Sequence, residues 1–188
     1  EKYLIVNAHE GEPCCYKDRF LIKSNIHAVL DGAMLTAYAT GATKVIITTR
    51  KSDVETLEII KQYAPKNVEI HIGSDRYVEG EETALIESIE SGESYPRSRP
   101  PYPVISGLHK KPTLVHNVET LANISYIVRG GVEDFLSTGS ENYKGTKLVS
   151  ISGDICERTV IEVDFGASVS VMLNKQLDVR MKDLVAIV

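Results

Sequence analysis

A chain of 188 residues, 43% hydrophobic and 25% charged, is long enough to bury a core and has the balance of an ordinary globular protein. Its formal net charge of −5 argues against nucleic acid or an anionic membrane surface as partner. No apolar run approaches the roughly 18 residues of a membrane span, and no signal-peptide pattern is present.

Cys14 and Cys15 are adjacent and Cys156 is distant, which makes neither a disulfide framework nor a CxxC ligand pair. His9, His27, His71, His109 and His116 share no HxxxH or HxH spacing. The expectation is three reduced thiols and no metal site. The chain opens on Glu1 and runs straight into strand-like residues, as a piece of something longer would.

Tyr3 to Val6 is a short continuous run of aromatic and branched residues, the pattern of a strand buried on both faces. After a polar loop, Ile26, Val29, Leu30, Ala33, Met34 and Ala37 recur at helical spacing, with Asn25 as N-cap and Gly41 as stop. Lys44 to Thr49 reads as a second buried strand. Ser52 to Glu55 predicts a capping box, and Leu57, Ile59, Ile60 and Tyr63 continue a helix to Pro65. Val68 to Ile72 alternates like a third strand. This βαβαβ order predicts an α/β, nucleotide-binding-like core built on a parallel sheet with right-handed crossovers.

The pattern then changes. Gly80 to Ile89 reads as an acidic-fronted helix. Ser91 to Pro112 is irregular and holds five of the seven prolines; a loop that long in a compact domain is more often functional than idle. Thr113 to Thr120 reads as a loop turning into a helix, which runs from about Asn117 to Val128 and stops at Gly130-Gly131. Lys147 to Ser152 and Val160 to Asp164 look like antiparallel strands, with Gly166 turning into a short amphipathic piece. Two domains are expected: an α/β unit over residues 1–144, and over 145–188 the start of a smaller β-containing, ubiquitin-like element.

Three loops could carry chemistry. NAHEGEP, Asn7 to Pro13, follows the first strand, where parallel sheets bind ligands. Its carboxylates suit ribose hydroxyls and repel phosphate, and Asn7 can donate to and accept from a heteroaromatic ring. Tyr77 to Thr83 places acids in a first helical turn, as the helix dipole favours. Thr113 to Thr120 offers helix-terminal N–H groups, the Asn117 amide and the Thr120 hydroxyl to an anionic phosphate. There is no glycine-rich phosphate loop, neither GxGxxG nor GxxxxGK[ST].

Taken in order, NAHEGEP, KDR, YVEGEETALIES, PPYPVISGL, KPTLVHNVETLAN and GTKLVSISGD resemble the flavin-binding "51-kDa" subunit of NADH:quinone oxidoreductase, respiratory complex I, and related NAD-linked diaphorase subunits. The resemblance runs from about Lys2 to Gly166. It implies FMN as cofactor, with Asn7, Glu10, Gly11, Tyr77, Gly80, Glu81, Glu82, Asn117 and Thr120 lining its ring, ribitol and phosphate. It implies NADH as substrate beside Glu12, Glu82, Arg99 and Tyr102, with no side chain needed as acid or base. Glu12 would face the adenosine ribose, and a carboxylate there would disfavour the 2′-phosphate of NADPH.

The sequence departs from the family at His9 (aspartate), at His116 (asparagine) and at Cys14-Cys15 (Gly-Thr). The family's glycine-rich loop precedes residue 1 and its four-cysteine 4Fe-4S domain follows residue 188. The chain is therefore expected to be the middle of a longer polypeptide, or a divergent relative without either end. The expected partners are other subunits of an electron-transfer complex and NAD(H), in a cytoplasmic, peripheral location. Two other readings are a flavin-free assembly or docking module, which His9 and His116 favour, and a relative of the C subunit of Rnf-type complexes.

Overall fold

The computed structural model describes residues 1–154 and 158–177; the thiol expected at Cys156 lies outside the described residues, as does the expected C-terminal element beyond 177. The chain divides into two compact units, parting between Arg129 and Gly130.

In the first unit, strands β1 (Tyr3–Ala8), β2 (Lys44–Arg50), β3 (Val68–Gly73) and β4 (Thr113–Asn117) form one parallel sheet in the order β3-β2-β1-β4. Successive side chains of a strand point to opposite faces, and both faces are covered here. Leu4, Val6, Ala8, Val45 and Ile47 enter one core, with Ile22, Val29, Ala33, Ile60 and Leu121 from the helices. Tyr3, Ile5 and Ile46 enter the other, with Leu85, Ile86 and Leu108. Double burial is why the runs Tyr3 to Val6 of β1 and Val45 to Ile47 of β2 are apolar without a break.

Helix α1 (Lys17–Thr40) is longer than its apolar periodicity predicts and is interrupted at Asn25, with φ −154° and ψ 58°. The Asn25 side chain accepts from the Ala28 N–H at 3.2 Å, so it caps the second segment as expected. The segment before it, read from sequence as loop, is helical because the Glu10 carboxylate accepts the N–H groups of Asp18 and Arg19. Gly41 closes the helix in the left-handed region at φ 69°.

Two further expectations are corrected. Helix α2 (Val54–Tyr63) has Asp53 at its N-cap with no side-chain cap bond, so the Ser52–Glu55 capping box does not form; the Ser52 N–H donates to Asp75 instead. Thr113–Asn117, expected as loop, is the fourth strand, paired along β1 from Tyr3↔Thr113 to Asn7↔Asn117. Its two central apolar residues are too few for a period, and β1 supplies the pairing from across the chain. Helix α3 (Glu82–Ser91) follows a 3-10 turn, Tyr77–Gly80. The proline-rich segment contains the one-turn helix α4 (Pro103–Ser106), and α5 (Val118–Tyr126) follows β4 directly.

The second unit holds α6 (Val132–Ser137), the antiparallel pair β5 (Thr146–Ile151) and β6 (Thr159–Asp164), and α7 (Val169–Leu177). Both strands lie where the sequence placed them.

Helices α1 and α5 meet backbone to backbone at Gly32, where an added Cβ would stand 1.8 Å from the Leu121 carbonyl oxygen. Helix propensity alone would make Gly32→Ala stabilising by about 1 kcal/mol. Overpacking against an unyielding backbone opposes that with about 3 kcal/mol or more. Gly32→Ala is therefore expected to lower the urea midpoint of unfolding; a raised midpoint would show that the helices separate without cost.

Candidate functional site

The connection from β1 runs through β2 to β3 on one side, and β4 lies on the other side of β1. The chain leaves β1 for β2 by α1 on one face and returns from β3 to β4 by α3 on the other. Such a reversal of strand order leaves a crevice beyond the carboxyl ends, the usual ligand position in open α/β sheets. Asn7 and Asn117 are register partners at that point. The Asn7 amide donates to the Gly80 carbonyl at 3.0 Å and accepts from the His9 N–H at 3.0 Å. The Asn117 amide donates to Asp18 at 2.7 Å and accepts from the Glu119 N–H and from Lys17 Nζ, at 3.0 and 3.2 Å. The end of β1 is thus tied to the 3-10 turn at Gly80, and the end of β4 to the first turns of α1 and α5.

The loop after β1 lies on the 3-10 turn with backbone against backbone. A Cβ at Gly11 would stand 3.2 Å from the Tyr77 carbonyl, and one at Gly80 would stand 3.2 Å from the His9 carbonyl. The exposed Tyr77 hydroxyl donates to Glu12 at 2.7 Å, and this bond to a carboxylate holds the phenol above its ordinary pKa. Glu10 turns inward. One of its oxygens accepts from the Asp18 N–H and the Cys15 thiol, the other from the Arg19 N–H and side chain. A carboxylate at a helix N-terminus complements the free N–H groups and dipole there.

Beneath the turn sits Glu79, fully buried. One oxygen accepts from the Ser74 N–H, the Ser74 hydroxyl and Ser94, the other from Ser88. Burial pushes the carboxyl up, but the serine bonds outweigh it and hold the group below its ordinary value. Because the Ser88 hydroxyl donates to Glu79, it accepts from His71 Nε2 at 3.0 Å. Because a carbonyl only accepts, His9 Nε2 donates to Ser74 O at 2.8 Å. His9 Nδ1 is then buried without a partner. The histidine that departs from the family pattern therefore points down into the Glu79 network.

At the front of α3, Glu81 caps the helix by accepting the Thr83 and Ala84 N–H groups, both at 2.9 Å. Its other oxygen meets Arg99, which also pairs with Glu82 at 2.9 Å. Arg97 ties the proline-rich segment to Glu87 and Glu90 of α3. Asn7, Glu10, Gly11, Glu12, Tyr77, Gly80 and Asn117 are thus linked around one strand-end crevice, with Glu81, Glu82 and Arg99 forming a linked group one turn on. Thr120 is exposed in the first turn of α5, and Tyr102 is exposed at the start of α4, with neither joined to the group by a hydrogen bond.

Sequence reasoning missed Glu79, Lys17 and Asp18. Lys17 Nζ lies 2.5 Å from Asp18 and 2.9 Å from Glu119. Burial works against its charge, yet the two carboxylates hold the ammonium above its ordinary value. The KDR triplet was the only signal for this group; nothing local distinguished Glu79 from the exposed acids beside it.

Residues 1–126 match the Nuo51 FMN-binding domain model, two-thirds of the chain. The chain belongs to this family. The F subunit of NADH-quinone oxidoreductase from Buchnera aphidicola subsp. Acyrthosiphon pisum (strain APS) is 39% identical over 88% of this chain and 41% of that protein. The corresponding protein of Aquifex aeolicus (strain VF5) is 36% identical over 93% of this chain and 45% of its own length. An NAD+-reducing [NiFe]-hydrogenase in its H2-reduced state superposes with a TM-score of 0.83 at 38% identity, covering 92% of this chain and 32% of the hydrogenase chain. The chain thus spans less than half the length of these relatives. The Nuo51 match begins at residue 1 and ends at α5, so it covers the whole parallel sheet and both sides of the crevice.

Acid should destabilise the first unit in two steps. Burial holds His71 below its usual value near 6.5, so from that pH downward the unfolded chain takes a proton that the folded ring resists. Glu79 is held below its usual 4.5, so its contribution is complete above that pH and is lost as pH falls through the lower folded value. Urea midpoints measured from neutral pH down to about pH 2.5 should fall across both windows. Glu79→Gln should be less stable at neutral pH and should show a smaller second step, the remainder coming from Glu81, Glu87, Asp31 and Asp75, which are also held below their ordinary values. A wild-type curve with no slope in this range would refute the ionised network.

Proposed function

We propose that this chain is the flavin- and NADH-binding part of a larger NADH-oxidising oxidoreductase of the Nuo51 family. The observation that carries the reading is the Asn7–Asn117 pair at the reversal point of the sheet, opening onto glycines 11 and 80 where backbone lies on backbone. The donor set fits FMN. Asn7, Gly11, Tyr77 and Gly80 offer amide, backbone and aromatic surface to a ring system. Thr120 and the α5 N-terminus, with Asn117 beside them at the end of β4, suit the ribityl hydroxyls and phosphate. Bound FMN supplies hydride acceptance from NADH and release of electrons one at a time.

The side chains have separate tasks in this reading. Glu10 and Glu81, saturated by helix N–H groups, set the two loops that flank the cofactor. Glu12, Glu82, Arg99 and Tyr102 meet the dinucleotide, Tyr102 by stacking its exposed ring on adenine. The residues supply position and charge, with no proton transfer required of them. The iron–sulfur centres that take the electrons belong, in this reading, to the rest of the complex; the described residues contain no group of three or more metal-ligating side chains. The proposed place of the chain is a peripheral cytoplasmic subunit, and no described helix is long and apolar enough to cross a membrane. The second unit is the beginning of a smaller β-containing domain.

A flavin-free docking module is the other reading, favoured by His9, His116 and the inward turn of Glu10. The visible spectrum of the purified full-length protein separates the two: flavin bands are expected, and their absence after reconstitution with FMN would leave the docking module. Within the first reading, Asn7→Ala should weaken FMN binding about tenfold, the value of one well-placed hydrogen bond.

The partner of Glu12 is the neutral Tyr77 hydroxyl, and Arg99 is engaged by Glu81 and Glu82. Exposure of Glu12 brings its repulsion of a 2′-phosphate charge to about 1 kcal/mol at 4 Å, roughly fivefold, where an intermediate dielectric would give about 4 kcal/mol. Full-length enzyme should prefer NADH, and Glu12→Gln should shift the NADH to NADPH ratio of kcat/KM toward NADPH by about fivefold. An unchanged ratio removes Glu12 from the dinucleotide site.

A further inference from the structure

The turn that closes the loop after β1 carries two thiols side by side. The Cys15 N–H donates to the Glu12 carbonyl at 3.1 Å, so Glu12–Cys15 is a β-turn with Pro13 second and Cys14 third. Cys14 stands at φ 62°, the left-handed conformation that a type II turn demands at its third position and that glycine ordinarily supplies. A non-glycine residue held there is a strained feature of the kind that collects at functional sites. Cys14 is exposed, and Cys15 is half-buried with its thiol donating to Glu10 at 3.1 Å. Neither is in a disulfide.

We propose that Cys14 and Cys15 form a reversible dithiol–disulfide site that reacts with small disulfides of the glutathione class. The exposed Cys14, as thiolate, attacks one sulfur of the small disulfide, forms a mixed disulfide and releases one thiol. Cys15 then attacks the Cys14 sulfur, breaks the mixed disulfide and releases the second thiol, which takes the Cys15 proton. In sum, one protein dithiol is oxidised to a disulfide and one small disulfide is reduced to two thiols.

Adjacent Cα atoms lie about 3.8 Å apart across a trans peptide, short of the roughly 4.4–6.8 Å that disulfides usually span. The bond that closes this ring is strained and readily reduced, which places it among labile disulfides and not structural ones. Its formation removes the S–H donor from Glu10, whose carboxylate caps α1 and holds Arg19, and it reshapes the turn that bears Glu12. The site rests on these residues alone, independently of the flavin reading.

The test is differential alkylation and mass spectrometry of the full-length protein equilibrated in glutathione buffers. Both thiols fall in one tryptic peptide, Tyr3 to Lys17. In oxidising buffer this peptide is expected to lose two hydrogens and carry no glutathione, and to return to the dithiol as reduced glutathione is added. Cys15→Ser should stop at a glutathione adduct on Cys14. Cys14→Ser should form an adduct on Cys15 at least about tenfold more slowly, because that thiol is half-buried. Wild type should also lose both thiols to one equivalent of phenylarsine oxide, a readout that needs no variant. Accumulation of the Cys14 adduct in wild type, a dithiol that persists in oxidising buffer, or a bridge to Cys156 would each overturn the proposal.

Discussion

Everything in the first unit depends on β1 being paired along both edges, by β2 on one side and β4 on the other. A strand so placed satisfies its backbone groups in both directions and buries both faces, so its six residues can be almost wholly apolar until Asn7. The same double pairing creates the crevice. The chain leaves β1 for β2 by α1 on one face of the sheet and returns from β3 to β4 by α3 on the other, so the strand order reverses between β1 and β4 and the crevice lies beyond their carboxyl ends. The ligand position is therefore a result of topology before any side chain is considered.

What the side chains add is a set of partnered carboxylates that stiffen those loops. Glu10, Glu79, Glu81 and Asp18 each lie in the crevice loops or beneath them, and each is met by N–H groups, hydroxyls or cations within the protein. A buried charge left unpaired would cost several kcal/mol, so Glu10, Glu79 and Asp18 each specify the geometry of the segment that satisfies them, while the half-exposed Glu81 acts as a helix cap. Glu79 does so with four donors drawn from three serines on separate segments, which binds the end of β3, the turn and α3 into one piece. Glu12 and Glu82 differ in that they reach outward, to a tyrosine hydroxyl and to an arginine at the surface. The acidic character that the loops show in sequence thus divides into scaffold and candidate contact surface.

The departures from the family pattern have different physical consequences. His9 replaces an acid but is turned toward Ser74 and Glu79, so its effect falls on the scaffold. His116 lies on β4, half-buried, with burial holding its ring below the ordinary value. Cys14 occupies a backbone conformation natural to the glycine it replaces. The first alters the support of the crevice, the second places an imidazole on β4, and the third changes the chemistry of the rim.

Much of this was legible without coordinates. The apolar runs at β1, β2 and β3, the helical spacing from Ile26 onward and the stop at Gly41 report what a short stretch of chain buries. Burial along one segment is written in its own periodicity. The ordered motifs also identified the family, and they did so without any knowledge of packing. Tertiary structure alone decided the rest. Thr113–Asn117 became a strand because β1, more than a hundred residues away, offered it a free edge, and five residues with two apolar ones carry no period to announce that. The opening turns of α1 exist because Glu10 caps them from eight residues upstream. Glu79 is buried while Glu82, three residues on, reaches the surface, because Ser74, Ser88 and Ser94 converge on the first alone. Which acid is scaffold and which is contact depends on partners distant in the chain, and local sequence does not encode distant partners.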